Sequence, residues 1–172
     1  MTRSMAFPMQ KMTHGLAPAA PERFSSSPYL PYNWERPTRG LPPVNAVRSG
    51  RMLVVRAADG TGDVGKFILD EHTAKIPRNG AELTIDDFEF LTCDLHYEWL
   101  EAELCATLPP PSCVWASKRM CVCRECDDPE QSPGKYIVDE RAAKVPRWGK
   151  EVTVRRFEML VVCTPGLFQE VD

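Results

Sequence analysis

Short apolar runs separated by turn-forming residues predict a protein built mainly from β-strands. Met52–Val55 is one such run, Lys66–Leu69 is the next, and a loop rich in Asp, Gly and Thr lies between them. Two apolar runs around such a loop are typical of a β-hairpin. Neither run alternates between apolar and polar residues, so we expect both strands to be covered on both faces. Glu82–Ile85 does alternate, which predicts a further strand with one buried face.

This pattern occurs twice, because two stretches of the sequence are repeated. Residues 51–59 match residues 119–127, and residues 65–91 match residues 134–160. Twenty of these 36 aligned positions are identical, whereas chance would give roughly two or three. The repeat predicts a mainly β (α+β) domain made of a duplicated hairpin-plus-strand unit. About six strands packed about a pseudo-twofold axis would cover the apolar face of each unit.

The segment between the two copies predicts a linker helix. Leu95, Trp99 and Ala102 recur at helical spacing, and glutamates occupy the other positions. Pro109–Pro111 would end this helix. The end of copy one is open to two interpretations, because Phe88 with Leu91 fits a helical turn, whereas Phe88 with Phe90 fits a bulged strand.

The N-terminal region differs in composition from the rest of the chain. Residues 1–50 contain eight prolines, which exclude a long helix and predict an extended arm. This arm resembles an organelle transit peptide in its Arg and Ser content, and a solvated disordered tail is the alternative. We therefore predict an arm (1–50) and a duplicated β domain (51–172). The latter comprises copy one (51–93), the linker helix (94–108), copy two (113–163) and a tail (164–172).

Charge and composition limit the partners and the compartment. The net charge is −3, yet residues 1–50 carry six Lys or Arg and only two acidic residues, so the body is acidic. An acidic body argues against broad binding to phosphate backbones and makes nucleic acid the less favoured partner. No apolar run approaches the roughly 20 residues that span a bilayer, so we expect a soluble protein without membrane insertion. Seven cysteines without a secretory signal indicate a reducing intracellular compartment: a mitochondrial or plastid matrix, the cytoplasm or the nucleus.

Four cysteines of copy two raise the alternative of a zinc site, since four thiolates can surround a zinc ion. These residues are Cys113, Cys121, Cys123 and Cys126. Copy one holds Leu, Val and Ala where Cys121, Cys123 and Cys126 stand, which favours buried core thiols over metal ligands. We therefore expect no cofactor, with zinc as the alternative.

Enzymatic motifs are absent from the sequence. No metalloprotease, nucleophile-elbow, P-loop or dinucleotide-binding fingerprint occurs. The adjacent carboxylates Asp86 and Asp87 align with Arg155 and Arg156, which indicates a solvated face or a complementary contact between the copies rather than an acid–base pair. We therefore predict a protein that is not an enzyme, with catalysis in a cleft between the copies as the alternative.

Polar residues shared by the two copies are candidate partner-binding residues. Their retention has two explanations: a salt bridge such as Asp70 to Arg78 within the loop, or a repeated recognition surface. Trp148 differs from its aligned Asn79 and is flanked by basic residues, so it could anchor a partner or cover its own sheet. Aromatic residues of the arm carry the same two interpretations. The full candidate set is Asp70, Glu71, Lys75, Arg78, Asp139, Glu140, Lys144, Arg147, Trp148, Tyr29, Tyr32 and Trp34.

Together these features favour a non-catalytic structural or interaction protein. We expect an accessory subunit that docks on a larger multiprotein assembly through its arm and its repeated loops. One alternative is a small zinc-binding regulatory protein, viral or nuclear, that binds protein or RNA. The other is an enzyme whose cleft lies between the copies.

Overall fold

The computed structural model describes residues 30–103 and 109–163, which form one antiparallel sheet of fourteen strands. The first seven strands are β1 (Tyr32–Glu35), β2 (Arg48–Ser49), β3 (Met52–Ala57), β4 (Val64–Ile68), β5 (Thr73–Arg78), β6 (Ala81–Ile85) and β7 (Phe88–Cys93). The other seven are β8 (Tyr97–Glu103), β9 (Trp115–Ser117), β10 (Met120–Glu125), β11 (Pro133–Ile137), β12 (Ala142–Arg147), β13 (Lys150–Val154) and β14 (Arg156–Val162). The described ranges contain no helix, and hence none of the length and apolar character needed to cross a membrane.

The strands follow an equivalent order from either edge of the sheet, if β1–β7 are matched in turn with β8–β14. The path runs β1-β7-β3-β4-β5-β6 and continues β13-β12-β11-β10-β14-β8, with β2 beside β3 and β9 beside β10. We call β1–β7 the first half and β8–β14 the second half. The halves meet where β6 and β13 begin: the N–H of Glu82 donates to the carbonyl of Gly149, and the N–H of Glu151 donates to that of Gly80, both at 3.1 Å.

The sheet curls so that the two halves face each other. Strand β4 contacts β11 and β5 contacts β12, although other strands separate each pair along the sheet. The space between the halves is filled by a shared apolar core, which includes Val54 and Leu91 from the first half and Val122 and Leu160 from the second. Burial of this shared core holds the halves together, since apolar area removed from water is the main favourable contribution to folding.

Each half also has a core of its own on the opposite face of its strands. In the first half Phe67 and Phe90 pack edge to face, with ring centroids 5.1 Å apart. In the second half Tyr136 stacks on Phe157 at 5.2 Å, beside the buried cysteines. Strands that are buried on both faces show continuous apolar runs, as the sequence predicts for β3 and β4.

The predicted linker helix is wrong, because residues 97–103 form β8. Tyr97 pairs with Val162 and Trp99 with Leu160 in the ladder between β8 and β14. Tyr97 and Trp99 pack against the shared core while Glu98 and Leu100 are exposed, and the pairing with β14 overrides the helical propensity of a Glu- and Leu-rich segment. Residues 104–108 of the predicted helix lie outside the described residues.

The expected number of about six strands is also wrong. Part of the excess comes from β5 and β12, because the residues between Asp70 and Arg78, and their counterparts in copy two, are predicted to form a loop. Ala74 and Ile76 are nevertheless buried while Lys75 between them is only half-buried, so this segment alternates as a strand does. The open question over residues 88–91 is answered by β7: Phe90 packs in the first half's own core, and Leu91 faces the shared core.

The described part of the predicted arm lies on the sheet. Strand β1 pairs with β7, with Tyr32 opposite Cys93 and Trp34 opposite Leu91, and β2 pairs with β3. Residues 1–29 and 164–172 lie outside the described ranges.

Candidate functional site

The repeated polar residues lie mostly in ion pairs within the protein. Lys75 lies 3.0 Å from the carboxylate of Glu71, and the aligned Lys144 lies 2.9 Å from that of Glu140. Both glutamates belong to the turns that precede β5 and β12, so each pair ties a turn to the strand that follows it. Their charges are thereby partly satisfied inside the protein, which favours the structural explanation for their retention.

Arg78 anchors the loop between β3 and β4 and does not pair with Asp70. Its guanidinium lies 2.8 Å from the carboxylate of Asp59 and 2.5 Å from that of Asp63, and it donates to the hydroxyl of Thr61 at 2.6 Å. The predicted bridge from Asp70 to Arg78 is therefore wrong, because the arginine spans the neighbouring hairpin loop. The hydrogen bonds that Asp59 accepts from Arg78 and Thr61 lower the pKa of this carboxyl to about 2.

The second half has an equivalent arginine contact. Arg147 pairs with Glu125 and lies 3.3 Å from the carboxylate of Asp128, in the loop between β10 and β11. Asp139 pairs with the exposed Arg119, whereas its counterpart Asp70 lies exposed at a turn. The loop-anchoring arginine is thus common to both halves, although the acidic residues that receive it differ.

Two buried lysines cross between the halves in a reciprocal way, and sequence reasoning missed them. The ammonium of Lys66 donates to the carbonyl of Pro146 at 3.0 Å, and that of Lys135 donates to the carbonyl of Pro77 at 2.6 Å. Lys66 aligns with Lys135 and Pro77 with Pro146, so each half gives the same residue to the other. The signal was present in the sequence, since both lysines follow a repeated glycine inside an apolar run.

Carboxylates balance the charge of these lysines. Lys66 lies 2.8 Å from Glu82, while Lys135 lies 2.5 Å from Asp63 and 3.4 Å from Glu151. Among the described residues, one oxygen of Glu82 and one of Glu151 accept no hydrogen bond, so the lysine charge alone compensates their burial. Buried ion pairs of this kind add little net stability but penalise any arrangement that separates them. Of these pairs, that of Lys135 with Asp63 joins the two halves and disfavours arrangements that separate them.

Burial and charge act in opposite directions on the pKa of Glu82. Burial raises this pKa, whereas the ammonium of Lys66 and the N–H of Gly149, which donates at 2.7 Å, lower it. The lowering effects prevail, so Glu82 stays ionised and keeps its contacts to both halves.

Trp148 stands out as an exposed aromatic residue at a turn between strands. Its side chain is 86% exposed, and it joins β12 to β13 together with Gly149. Both residues have positive φ, 52° and 75°, as in a type I′ turn. The guanidinium of Arg147 lies 5.2 Å from the centroid of the indole ring, and Lys150 is exposed on the other side of the turn. This exposure argues against the interpretation that Trp148 covers its own sheet, and the interpretation that it anchors a partner stays a prediction.

The aromatic residues predicted in the arm pack on the protein itself. Tyr32 is buried in the shared core, and its hydroxyl accepts a hydrogen bond from the N–H of Trp115 at 3.0 Å. Burial raises the pKa of this hydroxyl to about 12. Trp34 donates to the carbonyl of Trp115 at 3.2 Å and lies under the guanidinium of Arg56. These contacts favour the interpretation that both residues cover the core, while Tyr29 lies outside the described residues.

The four cysteines of the zinc alternative do not converge on one point. Cys113, Cys121 and Cys123 are buried in the second half's own core, whereas Cys126 lies at the turn after β10. Burial raises the pKa of Cys121 and of Cys123, as expected for thiols packed in an apolar core. In the part of the chain that the structure describes, the one group of three metal-ligating side chains within 4.8 Å is formed by other residues.

Two clefts lie where a hairpin loop of one half approaches a turn of the other. The first, of about 540 Å³, is lined by Gly60 and Gly62 of the first half and by Ser117 and Arg119 of the second. The second, of about 720 Å³, lies between residues 48–52 and the loop that contains Glu130. Neither lining includes a histidine or a cysteine, and the enzyme alternative stays a hypothesis. No family model matches this sequence, and no curated protein matches it significantly.

Proposed function

We propose that this protein is a non-catalytic interaction protein, an accessory subunit that docks on a protein partner through the turn that carries Trp148. The observation that carries the proposal is an indole side chain that is 86% exposed on a residue with φ of 52°. Exposed tryptophans are frequent anchors in protein interfaces, where they contribute a large share of the binding free energy.

The backbone conformation at Trp148 supports a functional reason for this residue. A left-handed conformation costs an ordinary L-residue about 1–2 kcal/mol, and type I′ turns favour Asn-Gly for this reason. The matching turn of the first half has that preferred pair, Asn79 and Gly80, with φ of 53° and 81°. The second half has Trp148 in place of the preferred residue, and the contact of its ring within the described residues is with the guanidinium of Arg147. A strained residue on a surface is a reason to look for a ligand.

The surroundings of Trp148 favour a protein over a nucleic acid as the partner. Exposed Lys150 is the basic neighbour at this turn, since Arg147 is already paired with Glu125. One exposed lysine is too little charge for a phosphate backbone, which requires several Lys or Arg contacts. An apolar pocket with an acidic rim on a protein partner would complement the indole and this lysine.

The rest of the sheet acts in this proposal as a rigid support, derived by duplication of a seven-stranded unit. Three features support duplication beyond the sequence repeat: the strand order, the reciprocal lysines and the edge strands. Tyr32 and Trp34 of β1 pair with β7 as Tyr97 and Trp99 of β8 pair with β14. We therefore extend the repeated unit to residues 32–93 and 97–162 and relate the halves by a pseudo-twofold axis.

The N-terminal arm enters the proposal only in part. Residues 30–50 contribute β1 and β2 to the sheet, so docking by the arm rests on residues 1–29. A truncation that tests the arm should therefore begin at Leu30, because a later start would remove Tyr32 from the shared core.

Affinity capture from native extract tests the proposal with four proteins: the full chain, Trp148→Asn, Leu41→Asn and the chain that begins at Leu30. Leu41 is an apolar control in the first half, before β2, and is 61% exposed. We expect Trp148→Asn to lose a defined protein that the full chain and Leu41→Asn recover in the same amount. Equal recovery by Trp148→Asn would exclude this turn as the docking site, and loss only in the truncated chain would assign docking to residues 1–29.

A further inference from the structure

Three side chains at one end of the outer strand of the second half form a metal-binding arrangement. A ring nitrogen of His96, a carboxylate oxygen of Glu98 and the sulfur of Cys163 all lie within 4.8 Å of one another. Nitrogen, oxygen and sulfur ligands of these residue types are those that zinc binds. We infer that His96, Glu98 and Cys163 bind one Zn²⁺ ion and leave a fourth position to water, a site independent of the Trp148 turn.

The strand ladder brings these residues together. Val162 pairs with Tyr97, and one step further the N–H of Cys163 donates to the carbonyl of His96 at 2.9 Å. Residues directly opposite each other in an antiparallel pair place their side chains on the same face. Glu98 follows His96 by two residues and lies on that face as well. The backbone therefore fixes the three positions before any ion binds.

The separations suit a tetrahedral ion. Zinc bonds of roughly 2.0–2.3 Å place neighbouring ligand atoms roughly 3.5 Å apart. Nε2 of His96 already lies 3.0 Å from Oε1 of Glu98, and both side chains are exposed, so small rotations can bring the sulfur of Cys163 into the same shell. The site is part of the surface, and an ion can reach it without local unfolding.

The same geometry argues against a Cys-His-Glu catalytic triad. In a triad the imidazole stands between the other two residues, with the thiol at one ring nitrogen and the carboxylate at the other. Here the sulfur of Cys163 and the oxygen of Glu98 lie within 4.8 Å of each other as well as of the histidine nitrogen. The three atoms surround a common point, which is the arrangement that a metal ion needs.

The first half provides a comparison at the equivalent place. Tyr32 opposite Cys93 corresponds to Tyr97 opposite Val162, so the positions of His96, Glu98 and Cys163 are occupied there by Pro31, Asn33 and Asp94. Proline offers no side-chain ligand, and the carboxylate of Asp94 accepts a hydrogen bond from Asn45 at 2.7 Å. The fold forms the same pair of strands without the three ligands. His96 and Glu98 therefore introduce ligand types that the first half lacks at these positions, and Cys163 exchanges a carboxylate already paired with Asn45 for a thiol.

Titration of the reduced full chain with Co²⁺, a spectroscopic probe for zinc sites, tests the inference. We expect one Co²⁺ per chain, a thiolate-to-cobalt charge-transfer band in the near ultraviolet and displacement of the cobalt by Zn²⁺. Cys163→Ser should abolish the band, and His96→Ala should weaken cobalt binding at least tenfold. Cys126→Ser is the matched control, since Cys126 is also partly exposed, and it should keep the wild-type spectrum.

Two results would overturn the inference. One is a wild-type chain that shows no charge-transfer band at saturating Co²⁺. The other is a band that persists in Cys163→Ser but disappears in Cys121→Ser, which would move the site to the buried cysteines. Thermal unfolding of each variant without metal verifies that the substituted chain is folded.

Discussion

The two halves share a framework but differ in the residues that fill it. Lysine stands at position 66 of the first half and at the equivalent position 135 of the second. Each lysine donates to the equivalent carbonyl in the opposite half, Lys66 to that of Pro146 and Lys135 to that of Pro77. By contrast, the pair Phe67 and Phe90 of the first half is replaced by Tyr136 and Met159 in the second, beside buried cysteines. The core thus tolerates replacement if its volume is filled, whereas the buried lysines are kept.

A second difference between the halves lies on the surface. The turn of Asn79 and Gly80 has the residues that its conformation favours, whereas the turn of Trp148 and Gly149 does not. Residues that the two halves share, such as Lys66 and Lys135, mark what the fold requires, because both halves fold with them. Residues that are not shared, and that are exposed, strained or rich in ligand atoms, are where we propose a role specific to the second half.

The largest expected effect is on the buried lysines. Lys66→Met should lower the free energy of unfolding by about 3 kcal/mol, because it leaves the buried carboxylate of Glu82 without its paired ammonium. Lys135→Met should lower it by about 1–3 kcal/mol, because the buried carbonyl of Pro77 loses its donor while Asp63 keeps its contact with Arg78. Lys75→Met is the matched control, since its pair with Glu71 is largely exposed and should be worth less than about 1 kcal/mol. Urea unfolding measures all three. Equal effects of Lys75→Met and Lys135→Met would contradict the division between framework and surface.

Exchange of the turn residues should have a smaller effect with opposite signs in the two halves. Trp148→Asn should raise the free energy of unfolding by about 1 kcal/mol, and Asn79→Trp should lower it by a similar amount, because asparagine tolerates positive φ better. Thermal and urea unfolding of both variants provide the test. A Trp148→Asn chain less stable than the wild type would show that the indole supports the fold and would remove the strain argument.

The smallest effect concerns acid stability of the first half. The pKa of Asp59 is lowered from 3.8 to about 2 by its bonds to Arg78 and Thr61. A lowered carboxyl pKa stabilises the folded state above the ordinary value and loses this contribution as the pH falls towards the folded-state value. Wild type should therefore lose more stability between pH 4 and pH 2 than Asp59→Asn does. Parallel stability curves for the two chains over this interval would refute the role of the Arg78 contact.

The sequence predicts the strands whose residues are apolar and misses those whose pattern is masked. Strands β3, β4 and β6 are predicted near their observed places, because apolar runs or alternation mark them. The buried apolar face predicted for β6 is wrong, since Leu83 is exposed and the side chain of Glu82 is the more buried one. The helix predicted at β8 fails because the glutamates of Tyr97–Glu103 favour a helix locally, while pairing with β14 decides the structure. The Tyr-x-Trp pattern shared with Tyr32 and Trp34 was the signal that could have identified this strand.

The candidate site could be predicted only where local features of the sequence mark it. Local features suffice to mark Trp148, because it replaces Asn79 between two basic residues. Contacts between distant segments cannot be obtained from spacing alone, and this is why the pairing of Arg78 with Asp59 and Asp63 was missed. The meeting of His96 with Cys163 likewise depends on a strand register that the predicted helix excluded.

Site-specific photo-cross-linking in the full chain tests the central claim most directly, that the Trp148 turn contacts a protein partner. A photoreactive amino acid replaces Lys150, beside the indole, or Leu41, at the control site, and each chain is irradiated in native extract. We expect one defined protein to cross-link from position 150 and not from position 41, and to be lost when Trp148→Asn is added. Cross-linking of that protein from position 41 alone, or equal yields at position 150 with and without Trp148, would contradict the account.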